Sequence, residues 1–182
     1  RIFDASEKVE LPEKYTFRTY MPPVINQGED SICVPCSVSA YLNWKENLKS
    51  GEVKDNKVSL FEIYDSREND GEGMTFKDAL SYVKKSGNIE YYAMVGSILQ
   101  LKHALVINGP CIGGLPVRDS RAFKFWDPEI SGFEGGHAIA IVGYDKEGFI
   151  IRNSWGTIYG ENGYSHLPYE DFSQFYEIWT LM

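Results

Sequence analysis

The sequence changes character at Asn108-Gly109-Pro110, and no other feature constrains the fold as tightly. Before this boundary, apolar residues recur at helical spacing. After it, they come in short apolar or alternating runs separated by turns. Upstream, a helix is predicted from Val34, with Pro35 in the first turn, where its missing N–H costs nothing, and Gly51 as the stop. Val38, Tyr41, Leu42 and Leu48 carry its spacing. Three more helix starts show capping boxes: Ser59 with Glu62, Thr75 with Asp78, and Ser97 with Gln100. Phe76, Ala79, Leu80 and Val83 form one apolar face, closed by Gly87; Ile98, Leu101 and Leu105 form the next, which stops at the boundary. Downstream, "CIGGLPV", "HAIAIVGY", "GFIIRNSW", "GYSHLP" and "FYEIWTL" read as strands. Residues 1–32 read as extended and turn-rich, since Pro22-Pro23 forbids a helix there. Helices first and strands second predict an α+β fold with a helical lobe and a sheet lobe, and the cleft between them is a natural ligand site.

The 182 residues suit one domain or two closely packed lobes, with 43% hydrophobic residues to fill a core. A formal charge of −8 argues against a large nucleic-acid footprint and against adhesion to an anionic membrane. No apolar run is long enough to span a bilayer, and no signal peptide is visible. The chain opens at Arg1, so processing upstream and a secreted or cell-surface location are the expectation. Cys33, Cys36 and Cys111 allow at most one bridge and leave a free thiol.

Cys33 and Cys36 form a C-x-P-C element at a helix start, which invites three readings. A redox dithiol would use the helix N-terminus to lower one thiol's pKa, but such motifs follow a strand in a βαβ unit, and this one follows a Pro-rich extended segment. A zinc site lacks further ligands at suitable spacing, since His103, His137 and His166 are scattered; no metal or cofactor is expected. A nucleophile with a structural neighbour requires a base, an orienting group and an oxyanion stabiliser elsewhere in the chain.

Those elements are present as Gln27-Gly28, "GGHAIAIVGYD" (135–145) and "RNSWGTIYGENGY" (152–164). In this order and spacing they resemble the papain family of cysteine peptidases, and "LPEKYTFRTYMPPV" and "LPYEDF" resemble its bacterial branch. The resemblance covers nearly the whole chain. It implies a papain-like two-lobe fold: a helical lobe (roughly 25–107) around a long central helix, and an antiparallel, β-barrel-like sheet lobe (108–182). The N-terminal segment crosses over, and 1–182 form a single catalytic domain.

The family's nucleophile follows its oxyanion-hole glutamine by six residues, which selects Cys33 after Gln27 and leaves Cys36 to packing. By the same resemblance, His137 forms a thiolate–imidazolium pair with Cys33, Asn153 orients the imidazole, Gln27 donates to the oxyanion, and Trp155 shields the His–Asn hydrogen bond. A hairpin turning at Asp145–Gly148 brings His137 and Asn153 together but not directly opposite, so a bulge or twist must supply the rest. Gly71, Glu72, Gly73 and Met74 resemble the strip that binds substrate backbone. Gly136 joins the substrate-binding set, and Met74 and Ala138 would line an apolar pocket for the second residue upstream of the cut.

The chain departs from the family pattern in "EDSICVPC", where Ile32 and Val34 flank the nucleophile and Ile32 is expected to narrow the cleft. The resemblance implies a cysteine endopeptidase acting on polypeptides, with an inhibitory pro-segment or protein inhibitor as a further partner. Acyl transfer or binding on the same scaffold, and thiol–disulfide exchange by the C-x-x-C pair, stand as alternatives.

Overall fold

The computed structural model describes residues 2–4, 9–54 and 59–182. Its elements in chain order are β1 (Tyr15–Thr16), α1 (Cys33–Ser50), α2 (Leu60–Asp65), α3 (Phe76–Lys85), β2 (Tyr92–Met94), α4 (Ile98–Asn108), β3 (Cys111–Val117), β4 (Gly135–Tyr144), β5 (Phe149–Arg152), β6 (Tyr164–Leu167) and β7 (Glu177–Leu181). The strands form one antiparallel sheet in the order β2-β7-β3-β4-β5-β6, with β1 on β4. This path is open rather than closed into a barrel.

The helices start and stop where local chemistry dictates. Thr75 accepts a hydrogen bond from the Asp78 N–H at 3.1 Å, and Ser97 from the Gln100 N–H at 3.1 Å. Gln100 returns its side chain to the Gly96 N–H, one residue earlier than a capping box would place it. Ser59 precedes α2 without a side-chain cap bond, so that expected box is not formed. At the boundary, Gly109 has φ +106°, and a Cβ there would collide with the Trp44 ring of α1. Only glycine meets both demands.

Two cores lie against the sheet. On one face, Val38, Tyr41 and Leu42 of α1 and Ala79, Leu80 and Val83 of α3 pack on Ile112, Ala138, Ala140 and Val142. The small side chains at 138 and 140 let α1 approach closely. On the other face, Leu101 and Leu105 of α4 pack with Leu115, Ile139, Ile141 and Phe149. The fold is therefore α+β with two lobes. However, α4, placed by the sequence reading in the helical lobe, packs on the far side of the sheet from α1–α3. Among the described residues, no helix is long and apolar enough to cross a membrane.

Candidate active site

The hairpin β4–β5 is out of simple register. Tyr144 pairs with Phe149 and Gly143 with Ile150, but Ile141 pairs with Ile151 and Ala140 with Arg152, so a bulge lies between Ile141 and Gly143. Without it, Asn153 would fall opposite Ala140, on the α1 face. With it, Asn153 falls opposite Ile139 and becomes the diagonal, same-face neighbour of His137. One inserted residue thus brings the two polar side chains together.

Their geometry fixes a tautomer. Asn153 Oδ1 accepts the Ser154 N–H at 2.8 Å and lies 2.7 Å from His137 Nε2. The Ser154 amide can only donate, so the atom facing it is oxygen, and His137 Nε2 must carry the hydrogen. In the neutral ring, Nδ1 is then left with its lone pair free to act as a base. Trp155 stacks on the imidazole at 4.6 Å and 24°, and Phe125 meets it edge-on at 5.6 Å and 78°. Phe125 is fully buried within a loop of irregular pattern, and nothing in the sequence marks it.

Cys33 begins α1 at its first helical position, with Ile32 as the N-cap residue. The first intrahelical bond runs from Cys36 N–H to Ile32 C=O, so the Cys33 N–H is one of the unpaired donors at the helix N-terminus. Burial pushes the Cys33 thiol above its ordinary range, while the backbone N–H groups of Ala138, Val34 and Cys33 pull it back. Burial also pushes the His137 imidazole down to about 4, partly offset by the Asn153 hydrogen bond. Burial taken alone disfavours charge on either group, and the mutual attraction of a thiolate–imidazolium pair acts in the opposite direction. Cys36 is buried, and burial first, then the neighbouring Cys33, pushes its thiol up to about 12.

Gln27 is held by the segment after Asn153. Its N–H donates to Ser154 C=O at 2.8 Å, the Ser154 hydroxyl donates to its Oε1 at 2.6 Å, and its Nε2 donates to Asp30 C=O at 2.7 Å. The Pro22-Pro23 run leading to Gln27 is pinned by buried Arg152. Its guanidinium donates to Pro22 C=O at 2.6 Å, Pro23 C=O at 2.7 Å and the Tyr164 hydroxyl at 2.9 Å.

Cys33, His137, Gln27 and Trp155 line one cleft of about 690 Å³. Of the expected substrate-binding residues, Gly73, Met74, Gly136 and Ala138 line it and Gly71 does not. Glu72 does not line it, but accepts a hydrogen bond at 3.4 Å from the Oγ of Ser31, which does. Val34 lines the cleft, but Ile32 is buried away from it, contrary to the expected narrowing. Tyr176 and Glu177, expected only as part of the last strand, also line it. Away from the cleft, Asp145, Glu147 and His166 meet as a cluster, with His166 Nε2 2.8 Å from Asp145 Oδ2.

Comparison with known proteins matches residues 42–175 to the family described as papain family cysteine protease, a span that includes His137 and Asn153 and begins after Cys33. Procathepsin L of Felis catus is 26% identical over 208 residues, covering 90% of this chain and 63% of its own length. The chain therefore spans less than two thirds of that relative. Xylellain, a cysteine protease from Xylella fastidiosa, superposes with a TM-score of 0.75 at 23% identity, covering 99% of this chain and 90% of that one. Digestive procathepsin L 3 of Tenebrio molitor gives 0.76 at 18% identity, covering 100% and 73%.

Proposed function

The chain belongs to the papain family of cysteine proteases, and on that footing we propose that residues 1–182 act as a single catalytic domain, a cysteine endopeptidase of the bacterial branch. The observation that carries this reading is the Asn153 Oδ1 contact to His137 Nε2 at 2.7 Å, which leaves Nδ1 as a base in the cleft that holds Cys33. His137 Nδ1 takes the thiol proton as the Cys33 sulfur bonds to the peptide carbonyl carbon. The oxyanion is held between the Cys33 N–H and the Gln27 amide hydrogen not used by Asp30. The C–N bond then breaks, His137 returns its proton to the departing amine, and an acyl-enzyme remains. Water attacks the thioester, gives its proton to His137, and the Cys33 thiol is restored as the acid departs.

Trp155 and Phe125 keep water from the His137–Asn153 bond and limit the ring's freedom. A polypeptide is the substrate, and a pro-segment or protein inhibitor would occupy the same cleft. Thiol–disulfide exchange is disfavoured because Cys36 is buried with its thiol pushed up to about 12, so little resolving thiolate forms. The test is hydrolysis of a fluorogenic peptide library by purified wild type, Cys33→Ala and Cys36→Ala. Cys36→Ala is expected to keep activity and Cys33→Ala to lose it. Retained activity in Cys33→Ala would overturn the assignment.

A further inference from the structure

The cleft around Cys33 has acidic walls. Glu29 and Asp30 line it from the loop between Gln27 and α1, Glu134 from just before β4 and Glu177 from the start of β7. Among the described residues, no lysine or arginine lines it. Among the described residues, these four carboxylates take part in no ion pair. Arg121 lies within electrostatic reach of Glu134, but its guanidinium is already 3.0 Å from Asp119. The negative field in the cleft is therefore left for a ligand to answer.

A second feature stands among these charges. Strands β4 and β7 flank β3 and are both antiparallel to it, so they start at the same end of the sheet. Glu134 precedes β4, Glu177 begins β7, and the Tyr176 ring lies between. Its N–H donates to Gly114 C=O at 3.0 Å. Its ring lies against Gly114, and its hydroxyl is 2.8 Å from where a Gly136 Cβ would stand. The two glycines make room for the ring; Tyr176 is 55% exposed and lines the cleft. Glu177 is braced as well, accepting the Trp179 indole N–H at 2.8 Å. A braced, exposed tyrosine beside the braced Glu177 carboxylate suits an ammonium or guanidinium group.

We propose that this cleft selects polypeptides carrying lysine or arginine side chains, seated on Tyr176 and drawn in by Glu29, Asp30, Glu134 and Glu177. The inference rests on the endopeptidase reading for its substrate class, and the test separates the two. Binding of fluorescent nonapeptides that differ only in Lys, Gln or Glu is measured on Cys33→Ala, which cannot turn over, and hydrolysis of the same peptides is measured on wild type.

Lys peptides are expected to bind at least about fivefold more tightly than Gln peptides, and Glu peptides more weakly still. The preference is expected to shrink in about 1 M salt, which screens exposed charges. Tyr176→Ala and Glu177→Gln should each lower the Lys-to-Gln ratio, while Tyr176→Phe keeps it. Equal binding of Lys, Gln and Glu peptides would overturn the inference even if all are hydrolysed. A Lys preference in binding with no hydrolysis would support it while overturning the endopeptidase reading.

Discussion

The Ser154 hydroxyl donates to Gln27 Oε1 across 2.6 Å, joining two residues 127 positions apart. The bond has a chemical consequence. Asp30 C=O can only accept, so the Gln27 atom facing it is Nε2, and Ser154 holds the other end of the same amide. One amide hydrogen is spent on Asp30 and the second remains for the cleft.

Ser154→Ala should therefore leave Gln27 present but loosely aimed, lowering kcat by about tenfold with little change in KM. Gln27→Glu, which cannot donate through either oxygen, should cost on the order of a hundredfold or more. Steady-state kinetics on a fluorogenic peptide reads both. A Gln27→Glu enzyme with wild-type kcat would remove Gln27 from the oxyanion site.

Asn153→Ala deletes the acceptor that fixes the His137 tautomer. Losing one buried hydrogen bond and the ring orientation should lower kcat/KM by about tenfold or more. Asn153→Gln lengthens the side chain and should not restore the rate. Unchanged kinetics in Asn153→Ala would show that the stacking of Trp155 alone orients the ring.

His137 links stability to pH. Its folded value of about 4 lies below the ordinary 6.5, so above 6.5 both folded and unfolded chains hold it neutral. As pH falls from 6.5 toward 4, the unfolded chain binds a proton that the folded chain refuses, and stability is lost, on the order of 3 kcal/mol in all. Urea unfolding at pH 7 and at mildly acidic pH should show a larger loss in wild type than in His137→Gln. Equal losses would assign the acid sensitivity elsewhere.

Arg152 is a buried cation whose fork is satisfied by two prolyl carbonyls and a tyrosine hydroxyl. Lysine cannot reproduce that fork, so Arg152→Lys should destabilise by roughly 2–4 kcal/mol, read from denaturant midpoints at constant m. It should also lower activity, because the Pro22-Pro23 run carries Gln27.

The sequence made these elements legible unevenly. The α1 start, the Thr75 and Ser97 caps and the strands after Pro110 depend on nearby residues, and local pattern exposed them. The bulge between Ile141 and Gly143 left no turn signal, yet it decides which face Asn153 occupies. Strand β2 is three residues long and owes its state to pairing with β7, far away in the chain. Phe125 lies in an irregular loop, and only the folded chain carries it beneath His137 and Trp155. The burial that shifts the Cys33 and His137 thresholds is likewise tertiary. The Gln27, His137 and Asn153 motifs were legible because their chemistry demands fixed residue types at fixed spacing. Tyr176 was not, because its place over Gly114 and Gly136 depends on strand order.

The central claim is that Cys33 carries the acyl group. Wild-type protein mixed with a reactive peptide ester, quenched in acid during turnover and digested, should yield one acylated peptide. Mass spectrometry is expected to place the acyl group on Cys33 and leave Cys36 and Cys111 unmodified, with no adduct in Cys33→Ala. Steady hydrolysis with no acyl group on Cys33, or an acyl group on Cys36, would contradict the account.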